Sequence, residues 1–144
     1  MLRTYKNRIR PIAISIIRKN DKILVYKRQD DITKENFYRL IGGCIEFEEK
    51  SDVALKREFM EEISVELKDL KLLSTFESIF TFNDISMHEI VFLYESKFKL
   101  KNLYNQEQFI GIEGERKFTA VWKKKSDFID KKDILYPETV ADFL

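Results

Sequence analysis

The segment from Gly43 to Val65 carries the strongest structural signal of the chain, and it reads GCIEFEEKSDVALKREFMEEISV. Its second half, from Ser51 to Ile63, changes to helical periodicity, and Ser51 is predicted to be the N-cap. An apolar arc that should face the core is formed by Val53, Leu55, Phe59, Met60 and Ile63. The opposite side of the predicted helix carries three glutamates, Glu58, Glu61 and Glu62.

These three carboxylates are an unfavourable combination on an isolated helix. At spacings of i, i+3 and i+4 they repel one another by a few tenths of a kcal/mol per pair. Glu61 and Glu62 also lie near the C-terminal end, where the helix dipole disfavours anions. A divalent cation would turn the repulsion into ligation, and Mg²⁺ prefers such oxygen ligands. The alternative is a solvated acidic face balanced by Lys50, Lys56 and Arg57.

The whole segment resembles the Nudix box. That box is a glycine, five residues, a glutamate, seven residues, Arg-Glu, an aliphatic residue, any residue, Glu-Glu, any residue, a glycine and an aliphatic residue. The positions that fall on the pattern are Gly43, Glu49, Arg57, Glu58, Glu61, Glu62 and Val65. Phe59 replaces the usual aliphatic residue, and Ser64 replaces the final glycine. If residue 64 ends the helix in a left-handed conformation, Ser64 costs about 1 kcal/mol there.

The resemblance implies a fold and a set of roles. The fold is an α/β/α sandwich with a mixed β-sheet, as a single domain over residues 1–144. The metal, Mg²⁺ or Mn²⁺, would be bound by Glu58, Glu61 and Glu62, with the backbone carbonyl of Gly42 as a further ligand. Glu49 and Arg57 would form a structural ion pair that orients the helix; their alternative is a surface salt bridge of little energetic value.

The rest of the chain predicts mostly strands. Ile12–Ile17 and Ile23–Tyr26 resemble a hairpin, and Gly42-Gly43 marks a special backbone. Further strands are predicted at Leu70–Phe82, Ile90–Tyr94 and Phe118–Trp122. Lys101–Arg116 is predicted to be irregular, and a short helix should follow Pro137 at Glu138–Leu144. This order predicts a mixed sheet covered by few helices, an α+β or α/β layered domain.

Several residues outside the helix are candidates for catalysis or substrate binding. In the resembled family a further carboxylate often serves as general base, and the candidates are Glu58 in the box or Glu113 and Glu115 in the predicted loop. Arg28 and Arg39 are placed to bind substrate phosphate through bidentate hydrogen bonds. The loop glutamates and both arginines have an equally simple alternative as solvated surface charges. Candidates for stacking on a base are Phe80, Phe82 and Tyr38.

Composition limits the partners and the compartment. Lys and Arg total 26 against 25 Asp and Glu, so no global field attracts nucleic acid or an anionic membrane. Cys44 and His88 are the only residues of their types, which excludes a disulfide framework and a Cys/His zinc site. We expect Cys44 to be a small buried residue and His88 a strand-edge residue. Met1–Arg8 is a poor signal peptide and no stretch approaches the length of a membrane span, so a cytoplasmic setting is expected.

The activity implied by the resemblance is a Mg²⁺-dependent pyrophosphohydrolase. It would cleave the diphosphate linkage of a nucleoside diphosphate derivative, which is ADP-ribose-like or dinucleotide-like. One alternative is a nucleoside triphosphate pyrophosphatase of the sanitising type. Another is a non-catalytic ligand-binding domain, which would predict loss of a box glutamate. The partner is a small-molecule nucleotide, and a homodimer is a further expectation because dimers are common in the resembled family.

Overall fold

The computed structural model describes residues 7–144 of the chain. Residues 1–6, which hold most of the segment predicted to be a poor signal peptide, lie outside the described residues. The strands are β1 Ile9–Lys19, β2 Lys22–Gln29, β3 Asn36–Arg39, β4 Gly42–Cys44, β5 Leu67–Phe82, β6 Ile85–Phe98, β7 Gln108–Glu113, β8 Arg116–Lys124 and β9 Leu135–Tyr136. The α-helices are α1 Ser51–Ile63 and α2 Lys125–Ile129, and 3₁₀ helices span Lys101–Asn105 and Glu138–Phe143.

The strands form one mixed sheet whose two parts are joined by the pairing of β1 with β2. One part has the order β5-β6-β1, with β4 also pairing with β1, and the other places β2 between β3 and β8. β1 runs parallel to β6 but antiparallel to β4, which makes the sheet mixed. The predicted hairpin of β1 and β2 is confirmed by the pairing of Arg18 with Ile23. Asn20 has a φ of 54° in the tight turn, a conformation that asparagine tolerates well.

The sheet is covered on both faces, and alternate residues of β2 show this directly. Leu24 and Tyr26 belong to the core cluster that contains the buried side of α1. Ile23 and Val25 point to the other face and pack with Phe128 of α2. Because successive residues of a strand point to opposite faces, helices lie on both sides of the sheet. The predicted α/β/α arrangement with a mixed sheet is therefore confirmed.

The helix α1 has its predicted bounds, but two details of the prediction were wrong. Lys50 is the N-cap residue, and the Ser51 hydroxyl instead hydrogen-bonds the Tyr94 hydroxyl. Val53 and Met60 are 51% and 48% exposed, so they do not face the core. The buried arc is narrower than predicted because α1 contacts the sheet along one stripe, which holds Ala54, Leu55, Phe59, Glu62 and Ile63.

The largest error of the sequence analysis lies between residues 101 and 116. This stretch was predicted to be irregular, but it contains a 3₁₀ helix and the strand β7. In β7, Phe109 points inward and Ile110 outward, and Gly111 points inward again. A side chain at Gly111 would clash with the Phe118 ring, 2.4 Å from an added Cβ. The glycine interrupts the apolar alternation in the sequence, which is why the strand was missed.

The C-terminal region is close to the prediction. The predicted helix at Glu138–Leu144 is present as a 3₁₀ helix that covers Glu138–Phe143. Within residues 7–144, none of the helices has the length and apolar character needed to cross a lipid bilayer.

Candidate active site

Arg57 anchors the helix α1 to the segment that precedes it. Its Nε donates to one carboxylate oxygen of Glu49 at 2.7 Å, and its Nη2 donates to the other at 2.9 Å. The same Nη2 donates to the carbonyl of Cys44 at 2.9 Å. The hydrogen bonds from Arg57 hold the pKa of Glu49 down at about 2, so this bidentate pair is fully charged at neutral pH. The position of α1 relative to β4 is therefore fixed by charged hydrogen bonds.

The remaining nitrogen of Arg57 faces the glutamates of the helix. Nη1 donates to Glu58 at 3.0 Å and to Glu61 at 3.2 Å. Glu61 is mostly exposed, whereas the Glu58 side chain is largely buried. Arg57 thus offsets part of the repulsion that the sequence predicted between neighbouring carboxylates.

The two glycines before the box helix let the backbone pass close to other groups. Gly43 lies beneath the Glu58 carboxylate, and a Cβ added at Gly43 would be 2.4 Å from Glu58 Cδ. Gly42 has a φ of 154°, and a Cβ there would be 2.1 Å from the carbonyl oxygen of Ala13. Gly42 therefore requires glycine, whereas a side chain at Gly43 would displace the Glu58 carboxylate. At Gly43 the missing side chain creates the space in which the Glu58 carboxylate lies.

Glu62 is the most unusual carboxylate of the molecule. Its exposure is only 6%, and its Oε2 has no hydrogen-bond partner within residues 7–144. Burial raises its pKa to about 10, and the neighbouring charges of Glu113 and Glu58 add to the shift. Burial also raises the pKa of Glu58. An unsatisfied buried carboxylate is costly unless a cation or a proton compensates it.

The donor set fits a hard divalent cation. Among the described residues the buried Oε2 of Glu62 has no hydrogen-bond partner, and Glu58, whose side chain interacts with that of Glu62, supplies further carboxylate oxygens. Oxygen ligands of this kind suit Mg²⁺ or Mn²⁺. Within the described part of the chain, no three His, Cys, Asp or Glu side chains are grouped closely enough to hold a metal ion as they stand. The hydrogen bonds of Glu58 and Glu61 to Arg57 account for this, since they draw both carboxylates toward the guanidinium.

The part of the sheet that contains β2, β7 and β8 carries two arginines, Arg28 and Arg116, on the face toward α1. We call it the site face, and it carries Tyr26 and Arg28 of β2, Gly111 and Glu113 of β7, and Arg116 and Phe118 of β8. Glu113 accepts a hydrogen bond from Arg116 and lies 3.8 Å from Arg28 Nη1. The Arg28 guanidinium also lies over the Phe82 ring, 4.7 Å from its centroid. Arg28 and Glu113 are thus brought together, and the charge of Glu113 acts on Glu62.

The prediction that Glu113 lies in a long loop was wrong, because it ends the strand β7. Strand alternation places it on the same face as the buried Phe109. Glu115 is exposed in the turn between β7 and β8. Of the two glutamates, Glu113 is the one whose charge raises the pKa of Glu62.

Arg39 is engaged by another buried acid. Glu89 is completely buried and accepts a hydrogen bond from Arg39 at 3.1 Å and from Arg10 at 3.0 Å. The Arg39 guanidinium also lies over the Phe80 ring, 5.5 Å from its centroid. Burial lowers the pKa of Arg39, but the charge of Glu89 outweighs this and raises it overall. The geometry therefore supports a structural ion triad at Arg39.

Three further predicted residues lie away from the glutamates or differ from expectation. Tyr38 contacts Phe128 and Lys123 on the opposite face of the sheet. Cys44 is half-buried rather than buried. His88 was expected at a strand edge, but β6 lies between β1 and β5, so its strand is internal. The predicted strand began at Ile90, whereas β6 begins at Ile85 and so includes His88.

Sequence reasoning also missed two residues of the site face. Tyr26 is fully buried, and burial together with the charge of Glu113 raises its pKa. Arg116 lies at the start of β8 and bonds Glu113. A signal for Arg116 was present, because residues 116, 118 and 120 alternate with exposed positions. It was not recognised because the strand was predicted to begin at Phe118.

The chain was compared with known families and structures. Residues 7–136 match the family model described as NUDIX domain, and no curated protein matches the chain at a significant level. A MutT NUDIX hydrolase from Burkholderia pseudomallei is 18% identical with a TM-score of 0.66, over 94% of this chain and 96% of that one. A NUDIX hydrolase from Nitrosomonas europaea is 15% identical with a TM-score of 0.63, over 94% and 85%. A NUDIX-family hydrolase from Clostridium perfringens is 17% identical with a TM-score of 0.62, over 93% and 92%.

At these identities the structural similarity establishes the fold. The family match is independent of it and covers nearly the whole chain. The box glutamates and their Arg57 anchor lie within the matched residues. The chain therefore belongs to the NUDIX family of pyrophosphohydrolases.

Proposed function

We propose that the chain hydrolyses a phosphoanhydride bond in a nucleoside diphosphate derivative with the help of Mg²⁺ or Mn²⁺. Substrates of the ADP-ribose-like or dinucleotide-like kind are the first candidates. The observation that carries the proposal is the buried Glu62, whose Oε2 has no partner among residues 7–144. A carboxyl group in this condition is either kept protonated, as its raised pKa indicates, or compensated by a positively charged ligand, and a divalent cation would bind by displacing that proton.

Glu58, Glu61 and Glu62 would hold the cation, with the carbonyl of Gly42 as a further ligand. When bound, such a cation polarises phosphoryl oxygens and lowers the pKa of a bound water. The chain itself contributes orientation. Arg57 ties the helix to Glu49, and Gly43 leaves room for the Glu58 carboxylate.

The proposed general base is Glu113, with Glu58 as the alternative inside the box. A base must come within hydrogen-bond reach of the attacking water. Glu113 projects on the site face and interacts electrostatically with Glu62, whereas Glu115 is exposed in the turn. These positions favour Glu113 over Glu115. The Arg116 hydrogen bond would hold the Glu113 carboxylate in place until substrate enters.

Arg28 is the proposed phosphate-binding residue of β2. Its guanidinium is only partly exposed and lies between the Phe82 ring and the Glu113 carboxylate. A guanidinium held in this way loses little conformational entropy when it binds a phosphate bidentately. Arg39 supports the proposal less, because the buried Glu89 already engages its charge. Phe82 lies beside Arg28 and Phe80 lies beside Arg39, and both rings are the aromatic candidates for contact with the nucleoside.

A nucleoside triphosphate is the second candidate substrate. The observation that favours it is the approach of two arginines, Arg28 and Arg116, to the single carboxylate of Glu113.

We further propose that residues 1–144 form a single cytoplasmic domain that acts on small nucleotides. With a net charge of +1, we do not expect it to bind nucleic acid. A homodimer remains a prediction, which the molar mass in solution would test.

The experiment that tests the proposal is a screen of the purified protein against a panel of nucleotides. The panel includes ADP-ribose, dinucleoside polyphosphates and nucleoside triphosphates, each with Mg²⁺ and with Mn²⁺, and products are identified by mass. Cleavage between two phosphates that is lost in Glu61→Gln and Glu62→Gln, but kept in the matched Asp52→Asn, would support it. Binding of nucleotides without cleavage of any of them would instead support a ligand-binding domain.

A further inference from the structure

The hairpin of β7 and β8 carries a charged pair at its tip, on the side of the box helix. Residues of β8 alternate, so that Phe118 and Ala120 are buried while Lys117 and Thr119 are exposed. Arg116 and Phe118 lie on the same face of β8. Across the hairpin, Arg116 pairs in register with Glu113 of β7. Arg116 therefore projects toward α1, whereas its neighbour Lys117 projects away.

Near the tip of this hairpin, two positively charged side chains, Arg28 and Arg116, interact with one carboxylate, that of Glu113. Glu113 accepts a hydrogen bond from Arg116, and Arg28 Nη1 lies 3.8 Å from the same carboxylate oxygen. Burial lowers the pKa of Arg28, and the charge of Arg116 lowers it further, so the two guanidinium groups repel each other. The Arg28 side chain is 20% exposed and that of Arg116 is 38% exposed, so water screens part of this repulsion. A second anion in contact with both arginines would stabilise the arrangement.

The hairpin face that carries Arg116 and Glu113 packs against the helix of the candidate metal site. Phe109 and Phe118 of this face belong to one core cluster with Phe59 and Ile63 of α1, and the charges of Glu113 and Arg116 act on Glu62. Arg28 also contacts the Phe82 ring, which belongs to the hydrophobic cluster of Phe37, Phe82 and Met87. The arginine pair therefore has contacts both with Glu113, whose charge acts on Glu62, and with this hydrophobic cluster.

We infer that Arg116 acts with Arg28 as a clamp for a phosphate group that ends the substrate's chain, as in a nucleoside triphosphate. This inference rests on the proposed function and chooses between its two substrate classes. A terminal phosphate carries close to two negative charges at neutral pH, whereas a phosphate that bridges two groups carries one. Two guanidinium groups with a single carboxylate between them match the doubly charged group better. Arg116 is thus a specificity-determining residue.

The test compares Arg116→Gln with the matched Lys117→Gln, which removes a charge from the same hairpin on the other face. KM and kcat are measured with Mg²⁺ for a nucleoside triphosphate and for ADP-ribose. We expect Arg116→Gln to raise KM for the triphosphate about tenfold and to change KM for ADP-ribose by less than about twofold. Arg116→Lys should recover part of the loss, since it restores the charge without the planar fork. Thermal unfolding checks that each variant is folded.

A binding measurement separates this inference from the proposed function. Calorimetric titration with tripolyphosphate and Mg²⁺ detects the clamp without any turnover. Weaker binding by Arg116→Gln, with unchanged binding by Lys117→Gln, would support the clamp even if the wild-type protein cleaved no nucleotide. Equal binding by wild type and Arg116→Gln, or no binding by wild type, would overturn it. An equal rise in KM for the triphosphate and for ADP-ribose would also overturn it, and would leave the proposed hydrolysis standing.

Discussion

The Glu58 carboxylate lies against the backbone of Gly43, in the space that a side chain at that position would occupy. A Cβ added at Gly43 would be 2.4 Å from Glu58 Cδ and 2.6 Å from its Oε2. Real Cβ atoms do not approach other heavy atoms so closely, so one group must move. The position of a candidate metal ligand thus depends on a glycine in the neighbouring strand.

The substitution Gly43→Ala should therefore displace Glu58 and weaken metal binding while the fold remains. We expect at least a tenfold loss of Mg²⁺ affinity, since a displacement of a ligand by about 1 Å is costly in a preorganised site. Calorimetry gives the affinity and circular dichroism the fold. A folded Gly43→Ala protein that binds Mg²⁺ as tightly as wild type would contradict this expectation.

Ser64→Gly should stabilise the metal-free protein. Ser64 has a φ of 57° and a ψ of 39°, and its N–H donates to the carbonyl of Met60. A residue with a Cβ is strained in this left-handed conformation, whereas glycine is not. After allowance for the greater freedom of glycine in the unfolded chain, the gain should be about 0.5 to 1 kcal/mol in urea unfolding. Ser64→Ala is the control, and a glycine variant no more stable than the alanine variant would refute the argument.

Glu49→Gln should destabilise the protein in a pH-dependent way. The folded-state pKa of Glu49 is about 2, against 4.5 for the free group, because Arg57 donates to it. Between these values the unfolded state binds more protons, so the contribution of Glu49 is complete above about pH 4.5 and is lost as pH falls toward 2. The difference in unfolding free energy between wild type and variant should shrink over that range. The exposed neighbour Glu48 supplies the control, Glu48→Gln, for which no such trend is expected.

Glu89→Gln should be the most damaging substitution of an acid outside the site. Glu89 is completely buried and bonds both Arg10 and Arg39. Removing one partner of a buried ion pair leaves charge without compensation and typically costs about 3–5 kcal/mol. The control is Glu95→Gln, because the pair of Glu95 with Arg18 is more exposed and should contribute less than about 1 kcal/mol. Equal losses for the two variants in urea unfolding would contradict the assigned role of Glu89.

Local sequence predicted the parts of this protein whose signals are local. The helix Ser51–Ile63 was predicted with its correct bounds from its periodicity, and the resemblance of the box to the Nudix pattern identified the family. The left-handed Ser64 was also anticipated from the missing glycine. These features depend on neighbours within a few residues, so one sequence suffices to read them.

Contacts between residues that are far apart along the chain could not be predicted from the sequence. Nothing local in Glu62 indicates that it is buried, since its neighbour Glu61 is exposed and has the same side chain. The pairing of Arg39 with Glu89 could not be predicted locally, because Glu89 lies 50 residues away along the chain. The strand β7 was missed because Gly111 stands at an inward-facing position where the strand pattern calls for an apolar side chain. The Phe118 ring of β8 fills that space. In each case packing against another element decides the outcome.

Within residues 7–144 the Oε2 of Glu62 is buried without a hydrogen-bond partner, and the proposed reason is a divalent cation that binds there. Calorimetric titration with Mg²⁺ of the wild-type protein, of Glu62→Gln and of the matched exposed variant Asp52→Asn tests this reason. We predict that wild type and Asp52→Asn bind Mg²⁺ with similar affinity and that Glu62→Gln loses at least tenfold. Absence of Mg²⁺ and Mn²⁺ binding by the wild-type protein, with or without nucleotide, or unchanged affinity in Glu62→Gln, would contradict the account.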